Sequence, residues 1–140
     1  MNLDNVLFIA SDHAGYDLKQ KIVNRYIAWD LGTFSNTSCD YPVYADILVD
    51  NMKGNASSRG ILICGSGIGM SIAANRYNWI RGALCYSKEI AELARKHNDA
   101  NVLILGARFT EEHVAYEIVD AFLTTEFEYG RHSKRVDMIS

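Results

Sequence analysis

Cys64 stands at the end of a short apolar run, Ile61 to Cys64, and is followed at once by Gly65, Ser66, Gly67, Ile68 and Gly69. A strand that breaks on alternating glycines and resumes with helical composition at Met70 leaves backbone N–H groups and a positive helix end facing one spot. That setting suits a working thiol, and Ser66 adds a hydroxyl beside it. It equally suits a small oxyanion or sugar hydroxyl held on bare backbone, or a tight turn beside an inert, packed cysteine. Nucleotide cradles fit poorly. The dinucleotide pattern G-x-G-x-x-G needs its third glycine where Met70 stands, and the G-K-[ST] of a phosphate loop is absent.

Other residues could join such chemistry. Asp12 and His13 follow the apolar run Val6 to Ala10 in a loop closed by Gly15. Their plainer meaning is a helix N-cap and a surface histidine. His97 follows Arg95 and Lys96, where a cation favours a helix C-terminus. Arg131 and Arg135 are four apart, so a helical tail puts both guanidinium groups on one face as a phosphate or carboxylate clamp. A solvated basic turn is the alternative. Arg108 adds a third cation, whereas His113 and His132 read as surface positions, the latter among basic residues.

The elements that position these residues alternate. Val6–Ala10, Trp29–Gly32, Ile61–Cys64, Ile80–Cys85 and Val102–Leu105 read as strands. Helices are expected over Tyr16–Ile27, Val43–Met52 behind Pro42, from Met70, and over Lys88–Lys96. A last helix starts behind Thr110 as N-cap, with Val114, Ile118, Val119, Phe122 and Leu123 as its core stripe. Continuous apolar strands alternating with helices give a parallel sheet covered on both faces. The expectation is one α/β domain over residues 1–140, a three-layer αβα sandwich around a five-stranded parallel, Rossmann-like sheet. Ligands in such sheets sit outside the carboxyl ends of the strands, which gathers Asp12, His13, Cys64 and Arg108 in one region.

Composition narrows the class. The chain has 140 residues, 49% apolar and 22% charged, with net charge −3. That is an ordinary globular balance, unsuited to a nucleic-acid or anionic-membrane surface. No apolar run approaches a membrane span, and the first residues carry no basic leader, so a cytoplasmic location is expected. Three widely spaced cysteines, Cys39, Cys64 and Cys85, form no paired metal or redox motif. No metal or other cofactor is implied.

The motifs together resemble the ribose-5-phosphate isomerase B and galactose-6-phosphate isomerase family. The likeness rests on S-D-H-A-G (Ser11–Gly15), D-Y-P-V-Y-A (Asp40–Ala45), the block Gly60–Asn75, R-K-H-N-D-A-N-V-L-I-L-G-A-R (Arg95–Arg108), and T-E-F-E-Y-G-R-H-S-K-R-V (Thr125–Val136). The resemblance implies aldose–ketose isomerisation of a sugar phosphate through ring opening and an enediolate. Ribose 5-phosphate is the expected substrate, in the non-oxidative pentose phosphate pathway. Allose or galactose 6-phosphate isomerisation, or sugar-phosphate binding without catalysis, are the alternatives. It also implies a homodimer, or a dimer of dimers, with sites at the subunit interface. By position, Cys64 matches the general base, His97 the residue that assists ring opening, and Ser66 a supporting hydroxyl. Asp12, His13, Gly65, Ser66, Gly67, Ile68, Gly69, Asn98, Arg108, Arg131 and Arg135 match substrate contacts, the tail from about 124 to 140 bringing phosphate-binding arginines and dimer contacts. His97, Asp12 and the arginines are expected at the sheet edge that carries Cys64. Two departures stand out: Ser66 where threonine is frequent, and a shortened segment between His13 and Gly32 that is expected to alter a surface rather than catalysis.

Overall fold

The computed structural model describes residues 5–140. Five strands, β1 (Leu7–Ser11), β2 (Trp29–Asp30), β3 (Arg59–Cys64), β4 (Gly82–Leu84) and β5 (Val102–Gly106), form one sheet in the order β2-β1-β3-β5-β4. Every pairing is parallel. Among the described residues six α-helices alternate with and follow them: α1 (Tyr16–Val23), α2 (Tyr41–Met52), α3 (Ile68–Ala74), α4 (Lys88–Asn98), α5 (Glu112–Thr124) and α6 (Arg131–Ile139). A short 3-10 turn, Ala107–Phe109, leads out of β5.

Strand alternation sorts the core into two layers. Leu7, Ile9, Ile61, Ile63, Leu103 and Leu105 face α1, α4 and α5. Ala10, Leu62, Cys64, Val102 and Ile104 face α2 and α3. Both layers are almost wholly excluded from solvent, which explains why the central strands read as unbroken apolar runs. The thiol of Cys64 therefore belongs to the α2–α3 side, one residue before the chain leaves the sheet.

Several boundaries differ from the sequence reading. The helix behind Pro42 opens at Tyr41, with Asp40 at the N-cap. α1 ends at Val23 rather than Ile27. β4 is shorter than Ile80–Cys85 because the side chain of Asn101, not a strand partner, takes the Arg81 N–H at 2.7 Å. α4 continues through His97 and Asn98 and stops at Asp99, whose φ of 47° ends it in the left-handed region. Thr110 does not cap α5. Its hydroxyl donates to the Gly106 carbonyl at 2.8 Å, and the N-cap falls on Glu111.

Candidate active site

The C-terminal ends of β1, β3 and β5 are level, since Ser11 pairs with Ile63 and Cys64 with Gly106. Just beyond β1, the Asp12 N–H donates to the Ile63 carbonyl at 3.2 Å, seating this buried aspartate beside Cys64. Asp12 Oδ1 accepts the Gly15 N–H at 3.1 Å, so it braces the turn, while the N-cap position of α1 is Gly15 itself. His13 Nδ1 lies 3.1 Å from the Cys39 N–H and 3.2 Å from the Cys39 carbonyl oxygen. The ring is thereby pinned to the 33–40 loop through one nitrogen, leaving Nε2 for another partner.

The glycine turn is shaped by what crosses it. Gly67 has φ of 84°, the left-handed conformation that turns the strand into α3. The guanidinium of Arg108 lies against Gly65, where a β-carbon would stand 3.0 Å from Nη1, and the Arg108 N–H donates to the Gly65 carbonyl at 3.0 Å. Over Gly69 the ring of Tyr41 leaves no room, a β-carbon meeting it at 2.6 Å. Ser66 Oγ accepts the Ile68 N–H at 3.2 Å, and the Tyr86 hydroxyl donates to the Ser66 carbonyl at 2.6 Å. Tyr41 has no role in the sequence reading, although it belongs to the quoted D-Y-P-V-Y-A block. Cys64 is 5% exposed beneath this turn. Cys85 is the opposite kind of thiol: burial pushes its pKa to about 12, which makes it inert packing.

His97 and Asn98 are elsewhere. They end α4, a crossover helix that starts at the carboxyl edge after β4 and returns to the edge where β5 begins. Asp99 is gripped there by Arg95 (Nη1 to Oδ1, 2.9 Å) and by Arg81 (Nε to the Asp99 carbonyl, 2.8 Å). The Asn101 carbonyl accepts the Gly60 N–H at 2.9 Å, at the entry of β3. Four residue steps along the strand lead from Gly60 to Cys64, about 13 Å at ~3.3 Å each. Within one chain, then, His97 does not share the sheet edge of Cys64, and neither do Arg131 and Arg135 of the tail helix packed beside it. This corrects the expectation for all three; Asn98 lies at the His97 end as well.

The tail joins the His97 end. The Glu128 N–H donates to the Lys96 carbonyl at 3.1 Å, and Glu128 Oε1 lies 3.6 Å from His97 Nε2. His132, buried in α6, stacks on His97 with centroids 4.3 Å apart and planes 14° from parallel. Burial, with His97, Arg131 and Arg135 nearby, holds the His132 imidazole below its ordinary range, only partly opposed by Glu128. Arg131 and Arg135 are exposed one turn apart on α6. The chain thus carries two clusters: Asp12, His13, Cys64, the Gly65–Gly69 turn and Arg108 at one edge, and His97, Asn98, Arg131 and Arg135 at the other.

The profile of the Ribose/Galactose Isomerase family matches residues 7–139. The chain belongs to the ribose/galactose isomerase family. Ribose-5-phosphate isomerase B of Escherichia coli is 42% identical over 134 residues, covering 92% of this chain and 90% of that one. The crystal structure of a ribose 5-phosphate isomerase from Thermotoga maritima superposes with a TM-score of 0.92 at 48% identity, covering 95% of each chain. Ribose-5-phosphate isomerase B from Mycoplasma genitalium, solved with bound ribulose-5-phosphate, gives a TM-score of 0.88 at 40% identity, over 96% of this chain and 93% of that one. Likeness to family members over nearly the whole length extends to the αβα sandwich itself. Among the described residues no helix is long and apolar enough to cross a membrane.

Proposed function

We propose that the chain interconverts D-ribose 5-phosphate and D-ribulose 5-phosphate, in sites each assembled from the Cys64 edge of one protomer and the His97 edge of another. The observation that carries this reading is the convergence of a buried thiol, a buried carboxylate, a glycine turn and a guanidinium at one edge, in a chain of this family. Removing a weakly acidic proton beside a carbonyl needs a base and donors for the developing oxyanion on the same side of the sugar. In the proposed mechanism His97 moves a proton at the ring oxygen to open the furanose. Cys64, as thiolate, takes the C2 proton of the aldose and returns it to C1. The Gly65–Gly69 turn, with the Ser66 hydroxyl and Arg108 nearby, holds the enediolate oxygens. Asp12 and Asn98 hold sugar hydroxyls, while His13, Arg131 and Arg135 hold the phosphate, whose binding energy positions the open chain. The reaction is redox-neutral and calls for no cofactor.

Two protomers are needed because proton transfer works at about 3 Å, whereas the two clusters are several-fold further apart in one chain. Apolar surface beside both clusters supports self-association as a dimer or dimer of dimers. Ile68 and Ile72 on α3 are 55% and 57% exposed, and Met138 and Ile139 at the end of α6 are 75% and 65% exposed. We read the chain as a single sugar-phosphate isomerase domain whose tail supplies the phosphate-binding arginines and dimer contacts, working in the cytoplasm, where its three free cysteines stay reduced. Assay of the purified protein with ribose, allose and galactose 6- or 5-phosphates tests the substrate, and absence of ribose 5-phosphate turnover would overturn the reading. Sugar-phosphate binding that persists without any turnover in the unmodified protein would favour a sensor instead.

A further inference from the structure

His97, Glu128 and His132 place their ligating atoms within 4.8 Å of one another, a composition that suggests a divalent metal. The ring geometry argues otherwise. A metal lies in the plane of each imidazole that binds it, along the nitrogen lone pair. Two rings 4.3 Å apart and 14° from parallel cannot both aim a lone pair at one ion. What such a stack does fix is ring orientation.

We propose that His132 is a positioning residue for His97, its stacked imidazole fixing the plane in which His97 meets the sugar ring oxygen. The inference rests on the isomerase reading above and adds a residue to it. His97 is 40% exposed at a helix end, so neighbours within its own helix do not hold its ring. His132 is 9% exposed and sits in the first turn of α6, its N–H donating to the Tyr129 carbonyl at 3.1 Å, so it is itself held. Glu128 closes the remaining side at His97 Nε2, anchored through its own N–H to Lys96. The charged and titratable groups around His132 are His97, Glu128, Arg131 and Arg135. Burial and the neighbouring His97, Arg131 and Arg135 hold the His132 imidazole below its ordinary range, and its ring lies nearly parallel to that of His97.

The test separates ring opening from proton transfer. Ribulose 5-phosphate has no furanose form, because its O5 is esterified. Exchange of its C1 hydrogen with deuterated solvent therefore reads the Cys64 step alone, whereas conversion of ribose 5-phosphate also requires ring opening. His132→Ala is expected to lower kcat for ribose 5-phosphate on the order of tenfold or more, leaving exchange within about twofold of the unaltered protein. His132→Phe keeps a flat ring and is expected to recover most of kcat. His97→Asn, which removes the ring-opening group itself, should abolish turnover of ribose 5-phosphate while leaving the exchange reaction in place. Full activity of His132→Ala would overturn the proposal. So would a phenylalanine variant as impaired as alanine, or exchange falling in step with turnover, since each marks a role other than stacking on His97. Failure of the unaltered protein to act on ribose 5-phosphate at all would remove the parent reading instead.

Discussion

If each site joins two protomers, two dead variants should repair each other. Cys64→Ala removes the base from one cluster and His97→Asn the ring-opening group from the other, and each variant alone should be inactive on ribose 5-phosphate. The clusters lie on the order of 13 Å or more apart by strand geometry, too far for intrachain cooperation in proton transfer. In a dimer containing one protomer of each kind, one site receives both intact clusters and the other receives both damaged ones. Random exchange of equal amounts makes about half of all dimers mixed, so about one quarter of the sites, and of the wild-type kcat per protomer, should return. The assay is ribose 5-phosphate turnover before and after the variants are mixed, with subunit exchange followed by native mass spectrometry. Mixed dimers formed in full but with no activity would refute the shared-site argument.

Three further outcomes follow from the packing. Lys19 is wholly buried, with Nζ 2.7 and 2.8 Å from the two Asp30 carboxylate oxygens, so Asp30→Asn strands a buried cation and should cost about 3 kcal/mol in urea unfolding, more than Lys19→Met. Gly69→Ala drives a methyl into the Tyr41 ring and should cost about 1–3 kcal/mol, with most of the loss recovered in the Gly69→Ala, Tyr41→Ala double variant. The folded-state pKa of His132 lies below the ordinary 6.5, so the unfolded chain takes up its proton first as pH falls. Stability from this group is complete above 6.5 and is lost as pH drops from there towards the folded value. Melting temperature should therefore decline more steeply across that window in the unaltered protein than in His132→Phe.

Much of the fold was legible because its strands are buried on both faces. Ile61 to Cys64 and Val102 to Leu105 carry no polar residue that could be mistaken for a surface. The Asp12, Cys64 and Arg108 cluster followed from the rule for parallel sheets, which needs only strand order and direction. Helix ends were less legible because they depend on distant partners. H-N-D reads as a helix break, yet the helix runs through His97 and Asn98 and ends where Arg81 and Arg95 hold Asp99 in the left-handed region. Tyr41 could have been suspected from Gly69, since a helical glycine often marks close approach of another group. His132 left no such trace, because stacking between a helix end and the tail has no sequence period.

The position of His97 was within reach of the sequence and shows what motif grouping leaves out. A right-handed crossover between parallel strands starts its helix at the carboxyl edge and must finish it at the other edge. A residue in the last turn of such a helix faces away from every residue that follows a strand. The R-K-H-N-D-A-N block is therefore best understood as two tasks at one place. Arg95, Asp99 and Asn101 lock the helix end to the start of β4 and β5, and His97 and Asn98 are presented outwards from that lock. A second protomer then meets a half-site whose backbone is already fixed. The ordering cost of building the joint site is carried largely by folding of each chain, and association has mainly to align two rigid edges.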